Sequence, residues 1–408
     1  MAARARFAVR LGVALIAVKG YAASETGAVY NRARVLCDQL GDVKQLIRVA
    51  SGQFSFHLVR AEMGAARRTA EDLLQKADTS GATEAKFAAH HLMGTSLFCR
   101  GRLAAACVHL ELAALKYTPY ARVIDTASGT RGADLRVPGV AVPSLLAITL
   151  CLLGRYREAR MQCDVALAEA RRSGRPLQLA YAVGGKAWLH ALLREDAGGL
   201  IDELSVISRE QSFPYWAAVA SIYEAGAAAQ KGKPAEAAAM FAESVKAHRA
   251  IGSRSMIPWW AGLVASVLNR DEAEVLLSEQ LRQIEETGER WCAADIHRVR
   301  GEVAWRCGDL RSAQAYLRKA IALAQAQKAR HWELRAATSL ARLWRDQGRL
   351  SEGGDILSAV YGCFIDEGDT PDLKDAKALL HELGDQRKDA IRDRYAQLRR
   401  VKATGMSA

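Results

Sequence analysis

The chain has 408 residues, half of them hydrophobic, and a formal net charge of +12. Basic and acidic residues are interleaved along most of the chain, which is typical of a solvated surface and argues against a nucleic-acid partner. No apolar run reaches the roughly 20 residues that a membrane-spanning helix needs, so we expect no membrane partner. Good helix formers dominate and strand-length runs of β-branched residues are almost absent, which predicts an all-α protein.

The first 23 residues combine arginines, the apolar run LGVALIAV and small residues, as a short secretory signal does. Lys19 breaks the apolar run and another amphipathic segment follows directly, so we interpret residues 6–18 as the first helix of a repeat array. The eight cysteines include no CxxC pair, which is typical of a reducing compartment. We therefore expect a cytoplasmic protein, with export as the alternative if residues 1–23 act as a signal.

A recurring spacing of small and large residues predicts stacked helical hairpins. The set Gly301, Ala304, Gly308, Ala313, Leu317 and Ala320 recurs 40 residues later as Ala341, Trp344, Gly348, Gly353, Leu357 and Val360. Small residues in mid-helix allow two helices to approach closely, and a glycine in the turn adopts a positive φ without strain. The period of roughly 34–40 residues predicts a tetratricopeptide-like superhelical solenoid of about eight hairpins, with a partial pair at the front.

The pattern divides the chain into four segments. Residues 1–116 hold N-terminal helical repeats, and residues 117–142 form an irregular loop insertion. Residues 143–384 hold tetratricopeptide-like repeats and a C-terminal capping helix, and residues 385–408 form a basic polar tail. The insertion is either a lid or ligand contact, or an ordinary crossing of the solenoid surface.

Three local features refine this division. In the weak copy at residues 176–212, Arg194 stands where a turn glycine is expected, and the unit at residues 254–288 is shortened. The capping helix is expected to begin after Thr370 as its N-cap, with Pro371 in its first position.

No residue set predicts a reaction. The nearest match to a phosphate-binding loop is Gly184-Gly185-Lys186, but Ala180 and Ala187 replace the glycine and the Ser or Thr that the motif requires. No HExxH motif, zinc-spaced cluster or GxSxG elbow occurs. We therefore expect no catalytic residue, no metal and no cofactor.

Seven of the eight tryptophans follow residue 215, and core packing in long helices explains most of them. Trp259 and Trp260 are adjacent in the sequence, so at least one of them is expected to face away from the core. These two are the candidate contacts with a peptide or small ligand in a concave groove.

The stretch RHWELRAATSLARLWRDQGR, followed by VYGCFIDEGDTPDLKDAKALLHEL, resembles the C-terminal end of a bacterial family. Its members are class III adenylate or guanylate cyclase-like proteins, in which a cyclase domain and a STAND/AAA-type ATPase precede a tetratricopeptide solenoid. The early segments VALIAVKGYAASETGAVYNRARVLCDQLGD and HLVRAEMGAARRTAEDLL are also similar to it. The family's catalytic and nucleotide-binding residues belong to domains that are absent from this sequence, so none is carried over.

The resemblance implies a non-catalytic protein- or ligand-binding solenoid with a sensor or regulatory role in signalling. A protein or peptide partner is expected, for which a cyclase/ATPase module acting in trans is one candidate. The alternative is that the chain is part of an adenylate cyclase or transcriptional regulator whose catalysis resides in upstream domains.

Overall fold

The computed structural model describes residues 2–40, 43–80, 82–117, 138–364 and 367–386. The first six helices are α1 (Ala2–Lys19), α2 (Ser24–Leu40), α3 (Val43–Val59), α4 (Met63–Ser80), α5 (Thr83–Cys99) and α6 (Leu103–Tyr117). The next six are α7 (Pro138–Leu153), α8 (Tyr156–Ser173), α9 (Pro176–Leu193), α10 (Gly198–Glu210), α11 (Pro214–Gln230) and α12 (Pro234–Ala250). The last are α13 (Ile257–Ala265), α14 (Arg270–Thr287), α15 (Ala293–Arg306), α16 (Leu310–Gln327), α17 (Arg330–Asp346), α18 (Leu350–Tyr361), a 3₁₀ turn (Gly362–Phe364) and α19, described over residues 371–386. The described part contains no strand, so the all-α prediction is confirmed.

Local sequence explains where several helices begin and end. The side chain of Asn269 accepts a hydrogen bond from the backbone N–H of Glu272 at 3.0 Å, which caps the start of α14. Thr370 does the same for Leu373 at 3.3 Å, and α19 begins at residue 371 as expected. Helices α9, α11 and α12 each begin with proline, whose fixed φ suits the first helical position.

Glycine permits the close packing of the two helices within a hairpin. A Cβ atom on Gly301 of α15 would lie 2.8 Å from Cγ of Leu317 and 3.2 Å from the carbonyl oxygen of Ala313, both on α16. Gly94 of α5 stands in the same relation to Leu110 and the carbonyl of residue 106, at 2.7 and 3.3 Å. The spacing found in the sequence therefore marks the contact between paired helices.

The helices of the described residues pair in sequence into nine hairpins, with α19 as the cap. Within each hairpin the first helix packs against the second, and successive first helices also contact one another, as α11, α13, α15 and α17 do. The odd-numbered helices therefore form the inner layer of the solenoid, and the even-numbered helices form the outer layer. This architecture confirms the predicted tetratricopeptide-like solenoid.

The solenoid closes on itself after ten helices. The C-terminal end of each of α1, α3, α5, α7 and α9 meets the N-terminal end of the odd-numbered helix ten positions further along. The contacts join Tyr21 with Tyr215, Val59 with Arg254 and Ser255, Cys99 with Arg290 and Trp291, Tyr156 with His331 and Phe364, and Arg194 with Asp372 and Asp375. We call this row of contacts the seam; five hairpins thus complete one superhelical turn.

The seam satisfies polar groups at the helix ends. The carbonyl of Val59 accepts the backbone N–H groups of Arg254 and Ser255 at 2.8 and 3.0 Å. The carbonyl of Cys99 accepts those of Arg290 and Trp291 at 2.7 and 3.2 Å. Carbonyls in the last turn of a helix have no partner within the helix, so these bonds replace water with a neighbouring turn of the solenoid.

The structure refines the boundaries expected from the sequence. Helix α7 begins at Pro138 rather than at residue 143, because Val140, Ala141 and Val142 are buried and pack as helix. The rest of the insertion, residues 118–137, and most of the basic tail lie outside the described residues. The expected short unit is present as α13, which has nine residues. In the parts of the chain that are described, none of the helices combines the length and apolarity required to span a bilayer.

Candidate ligand-binding cavity

The last full turn of the inner layer borders a partly open cavity of about 270 Å³. It lies among α11, α13, α15, α17 and α19 and the C-terminal end of α9. Its wall carries four arginines and four acids, namely Arg194, Arg298, Arg335, Arg342, Asp295, Glu302, Asp372 and Asp375. Uncharged residues complete it, including Gln230, Leu263, Ser266 and Thr338. The cavity therefore combines strong hydrogen-bonding groups of both signs with a small apolar surface.

The repeat places the charged residues in register. Asp295, Arg298 and Glu302 on α15 are followed 40 residues later by Arg335, Thr338 and Arg342 on α17, and all six line the cavity. Positions that differ by three, four or seven residues lie on one face of a helix, so each helix directs its set towards the same space. In α11, buried Val219 and Ile222 occupy the positions equivalent to Asp295 and Arg298.

The inner part of the network is centred on Arg298, whose side chain is only 7% exposed. Its Nε donates to Asp295 Oδ1 at 2.6 Å, and its Nη1 donates to Glu302 Oε2 at 2.7 Å. The hydroxyl of Ser339 donates to the other oxygen of Glu302 at 2.6 Å. Burial opposes ionisation of both acids, but Arg298 and Arg335 hold the pKa of Asp295 below its ordinary value.

The same two opposing effects determine the pKa of Glu302. Burial raises the pKa of Glu302, whereas Arg298, the hydroxyl of Ser339 and Arg335 lower it, so that the net pKa lies below the ordinary value. Both inner acids are therefore ionised at neutral pH and remain paired with Arg298.

The outer part of the network joins the two ends of the superhelical turn. Arg194 Nη1 donates to Asp372 Oδ1 at 3.1 Å and to Asp375 Oδ2 at 2.9 Å. Arg342 Nη2 lies 3.3 Å from the same oxygen of Asp375. Burial raises the pKa of Asp375, but Arg194 and Arg342 bring it below its ordinary value. One carboxylate is thus held between two arginines at the mouth of the cavity.

Arg194 is the residue that the sequence analysis found in place of a turn glycine. It has a φ of 58°, in the left-handed region that favours glycine. The backbone conformation of the turn is therefore retained, while the side chain reaches α19 and lines the cavity. A strained residue whose side chain points into a cavity supports a functional role for that side chain.

Aromatic rings fill the interior of the solenoid next to the cavity. Trp188, Trp259 and Trp291 form a cluster with ring centroids 5.2–6.0 Å apart. Phe98 stacks on Trp291 at 5.4 Å. The cavity residues Ala191, Leu263 and Asp295 follow the three tryptophans by three or four positions, which is one helical turn. The cluster therefore lies about one helical turn from residues that line the cavity.

Trp259 and Trp260 occupy α13 but are not cavity residues. Their exposed fractions are 1% and 2%, because neighbouring helices cover both sides of α13. This burial contradicts the expectation that one of them faces away from the core; their contact with a ligand is untested and stays a prediction. The same helix supplies Gly262 and Leu263 to the cavity, and Ser266, which follows its last residue, also lines it.

Neither the phosphate-loop match nor the histidines form a second site in the described part of the chain. Gly184 and Lys186 lie within α9, and Lys186 Nζ donates to Asp164 at 2.8 Å. No group of three or more His, Cys, Asp or Glu side chains in the described ranges is arranged to hold a metal ion. The cavity can bind charged and hydrogen-bonding groups.

Fold and cavity together define a tetratricopeptide-like solenoid with a polar cavity that is open to solvent. Among solved structures, a Rap protein complexed with Competence and Sporulation Factor is similar, with a TM-score of 0.61, 10% identity and coverage of 94% of this chain and 100% of that chain. Yeast Tom70 (TM-score 0.37, 13% identity, 94% and 96% coverage) and a designed circular tandem repeat protein (0.20, 14%, 97% and 100%) are also matched. No protein-family model and no curated protein matches the chain. The first of these likenesses supports the fold assignment.

Proposed function

We propose that the chain is a non-catalytic binding solenoid that takes a peptide segment of a partner protein into the cavity. The observation that carries this proposal is the set of eight charged side chains contributed by α15, α17, α19 and the end of α9. A set of both signs, with hydrogen-bonding side chains between, suits the backbone and side chains of a peptide. The similar Rap chain, solved in complex with Competence and Sporulation Factor, is a precedent for ligand binding by this fold.

A cavity-filling variant tests the proposal. Ala191 is partly buried and lines the cavity, so Ala191→Trp should fill it, whereas Ala239→Trp adds the same side chain to the exposed surface of α12. A synthetic library of random short peptides would be incubated with each purified protein, and retained peptides would be identified by mass spectrometry.

We expect the native chain and Ala239→Trp to retain the same peptides, and Ala191→Trp to lose them. Circular dichroism must show that both variants are folded. Retention of the same peptides by all three proteins, or of none by the native chain, would refute peptide binding in this cavity.

The resemblance to cyclase–ATPase proteins supplies a second, more specific candidate, namely a sensor that regulates a cyclase/ATPase module in trans. One observation favours it. The resembling stretch WELRAATSLARLWRDQGR covers α17, and Arg335, Thr338, Ser339 and Arg342 within it line the cavity. In this proposal the module is cytoplasmic, and a ligand in the cavity changes its activity.

Purified components would test this second candidate. The chain alone, incubated with ATP and Mg²⁺, should form no cyclic AMP, since its proposed role is regulatory. A cyclase module encoded beside it in the genome should change its rate when the chain is added. An unchanged rate across a range of chain concentrations would exclude the regulatory link, and cyclic AMP from the chain alone would contradict the non-catalytic assignment.

A further inference from the structure

The acids of the cavity accept short hydrogen bonds from arginines, and this limits which charged groups of a ligand the cavity can bind. Asp295 and Glu302 accept from Arg298 at 2.6 and 2.7 Å, and Asp375 accepts from Arg194 at 2.9 Å. Asp372 Oδ2 has no hydrogen-bond partner among the described residues, but the atom is buried and a ligand in the cavity cannot reach it. Each of these carboxylates is already paired with an arginine, so a cationic ligand would compete with Arg194 and Arg298 for them.

Arg335, by contrast, is not held by short hydrogen bonds. Its Nη1 lies 3.5 Å from Asp295 Oδ1 and its Nε lies 3.8 Å from Asp372 Oδ1, which are separations of ion pairs rather than of hydrogen bonds. Its guanidinium faces the ring of Trp332 at 5.7 Å, and the side chain is 16% exposed within the cavity wall. A guanidinium carries five donors, so Arg335 retains donor capacity towards the cavity.

Arg342 extends this donor surface to the mouth of the cavity. It follows Arg335 by seven residues, or two helical turns, on the same face of α17, and its side chain is 37% exposed. Its contact with Asp375 at 3.3 Å uses one of its nitrogens. Arg335 and Arg342 thus form a line of donors from the inner end to the mouth.

The protein itself contains an example of the group that fits such donors. Asp375 places its carboxylate between Arg194 and Arg342 at 2.9 and 3.3 Å. A guanidinium and a carboxylate match in shape and can form two parallel charge-assisted hydrogen bonds. The cavity volume of about 270 Å³ lies just below the range usual for ligand pockets, so it suits a peptide end or one side chain rather than a long segment.

We propose that the cavity recognises a carboxylate group of a peptide, with Arg335 at the inner end and Arg342 at the mouth as its hydrogen-bond donors. This inference rests on the proposed peptide-binding function and names the chemistry of the bound group. The carboxylate belongs either to the C-terminus of the peptide or to an Asp or Glu side chain.

Three N-acetylated random peptide pools separate these sources. The first has a free terminal carboxylate and no Asp or Glu, the second has an amidated end and contains Asp and Glu, and the third is amidated without acidic residues. Each pool would be presented to the native chain, Arg335→Gln, Arg342→Gln and the control Arg311→Gln, which changes an exposed arginine of α16 outside the cavity. Thermal unfolding would verify that each variant is folded.

We expect the native chain and Arg311→Gln to retain peptides from the first or the second pool but not from the third. Peptides so retained should bind Arg335→Gln at least tenfold more weakly and Arg342→Gln more weakly than the native chain. If Arg335→Gln does not fold, the result with Arg342→Gln decides. Which acidic pool is retained identifies the source of the carboxylate.

Three results would overturn the inference. Equal retention of the third pool, or unchanged affinity in both cavity variants, would show that a carboxylate is not recognised, although peptide binding would stand. Retention of no pool would refute the proposed function and this inference together.

Discussion

Arg194 combines a backbone constraint with a side-chain role at a single position. A non-glycine residue in the left-handed region costs about 1 kcal/mol or more, yet the native chain keeps arginine at a φ of 58°. The ion pairs of the side chain with Asp372 and Asp375 offset part of this conformational cost. Partly exposed ion pairs contribute only about 0–1 kcal/mol to stability. Stability alone therefore does not account for arginine here, whereas a place in the cavity wall does.

Two substitutions at this position separate backbone strain from the ion pairs. Arg194→Ala and Arg194→Gly both remove the guanidinium, but only glycine relieves the positive φ. We expect the glycine variant to be more stable than the alanine variant by about 1 kcal/mol in urea denaturation. Equal stabilities would mean that the turn relaxes to another conformation in the alanine variant.

Glu289 is the residue that should give the protein a distinctive pH dependence. Its side chain is buried and accepts hydrogen bonds from the backbone N–H of Met256 at 3.0 Å and from Trp291 Nε1 at 3.2 Å. Burial raises the pKa of Glu289 to about 7, against partial compensation by these two bonds. The folded protein therefore binds a proton on Glu289 at pH values where the unfolded chain has already released it.

The sign of the effect follows from this linkage. The stabilising contribution of protonated Glu289 is complete below about pH 4.5 and is lost as the pH rises through about 7. Glu289→Gln cannot ionise, so its advantage over the native chain should grow by roughly 2–3 kcal/mol between pH 5 and pH 8. Urea denaturation at pH 5, 6.5 and 8 measures this difference.

Other groups titrate in the same range but do so in both proteins. Burial lowers the pKa of His331 and of His248 from 6.5 to about 4. The folded protein is therefore stabilised by both histidines as the pH rises from about 4 to about 6.5. Because they are common to the native chain and the variant, the difference between the two isolates Glu289. Glu285→Gln makes the same substitution at a largely exposed position and is the control. Parallel curves for Glu289→Gln and the native chain would place the pKa of Glu289 near that of an ordinary glutamate.

The sequence could have identified the cavity residues better than it did. The spacing of small residues in the two clear copies predicts the hairpins, whereas the charges at positions 295, 298 and 302 and at their equivalents 40 residues later mark the cavity. All three positions are charged in α15, and two of the three equivalent positions are charged in α17. In α11 the first two equivalent positions hold the buried residues Val219 and Ile222, and this contrast is visible in the sequence. By contrast, the burial of Trp260 depends on which helices cover α13, and local spacing does not determine that.

At the scale of elements, a glycine permits the close packing of the two helices in the α5–α6 and α15–α16 hairpins. We expect Gly301→Ala to destabilise the protein by about 1–2 kcal/mol, because the methyl group would lie 2.8 Å from Leu317 and 3.2 Å from a backbone oxygen. This estimate already includes the intrinsic preference of helices for alanine, which is worth about 1 kcal/mol in the opposite direction. Urea denaturation at constant pH gives the value.

Gly354 is a matched control for this prediction. It also lies within a helix, α18, but a Cβ atom there would have no neighbour within 4 Å. Gly354→Ala should therefore stabilise the protein by about 0.5–1 kcal/mol. If both substitutions had the same sign, steric contact at Gly301 would not be the cause.

Elements of this kind are predictable because their determinants are local. The hairpins, the turn glycines, the short helix α13 and the cap after Thr370 all follow from residues within about 20 positions of one another. The start of α7 at Pro138 is not apparent from the sequence pattern, which assigns all of residues 117–142 to the irregular insertion.

At the scale of the whole molecule, the seam is what the sequence did not reveal. It joins residues 175–210 positions apart, such as Tyr156 with His331 and Arg157 with Glu367. The carboxylate of Glu367 accepts the backbone N–H of Arg157 at 3.0 Å. The angle between successive hairpins decides which ends meet, and small differences accumulate over ten helices. A repeat period fixes the hairpin but not that angle.

The seam has a consequence for folding cooperativity. In an open solenoid each repeat contacts only its neighbours, so the two ends can unfold separately. Here the ends of α1, α3, α5, α7 and α9 are held by the following superhelical turn, so the described repeats should unfold together. Seven of the eight tryptophans follow residue 215, so fluorescence reports mainly on the second half, while far-ultraviolet circular dichroism reports on all helices. We expect the two signals to give the same urea midpoint.

A substitution at Phe364 tests whether the seam makes unfolding cooperative. It is buried at the seam, stacks on Tyr156 with ring centroids 5.4 Å apart and lies against Gly154. Phe364→Ala should destabilise the protein by about 3 kcal/mol and shift both midpoints together, because the loss of one seam contact weakens a single cooperative unit. Phe7→Ala, which removes a ring that is 68% exposed on α1, should change the stability by less than about 0.5 kcal/mol. A circular dichroism transition that begins well below the fluorescence transition in the native chain would show that the first hairpins unfold on their own, and that the seam does not couple the turns.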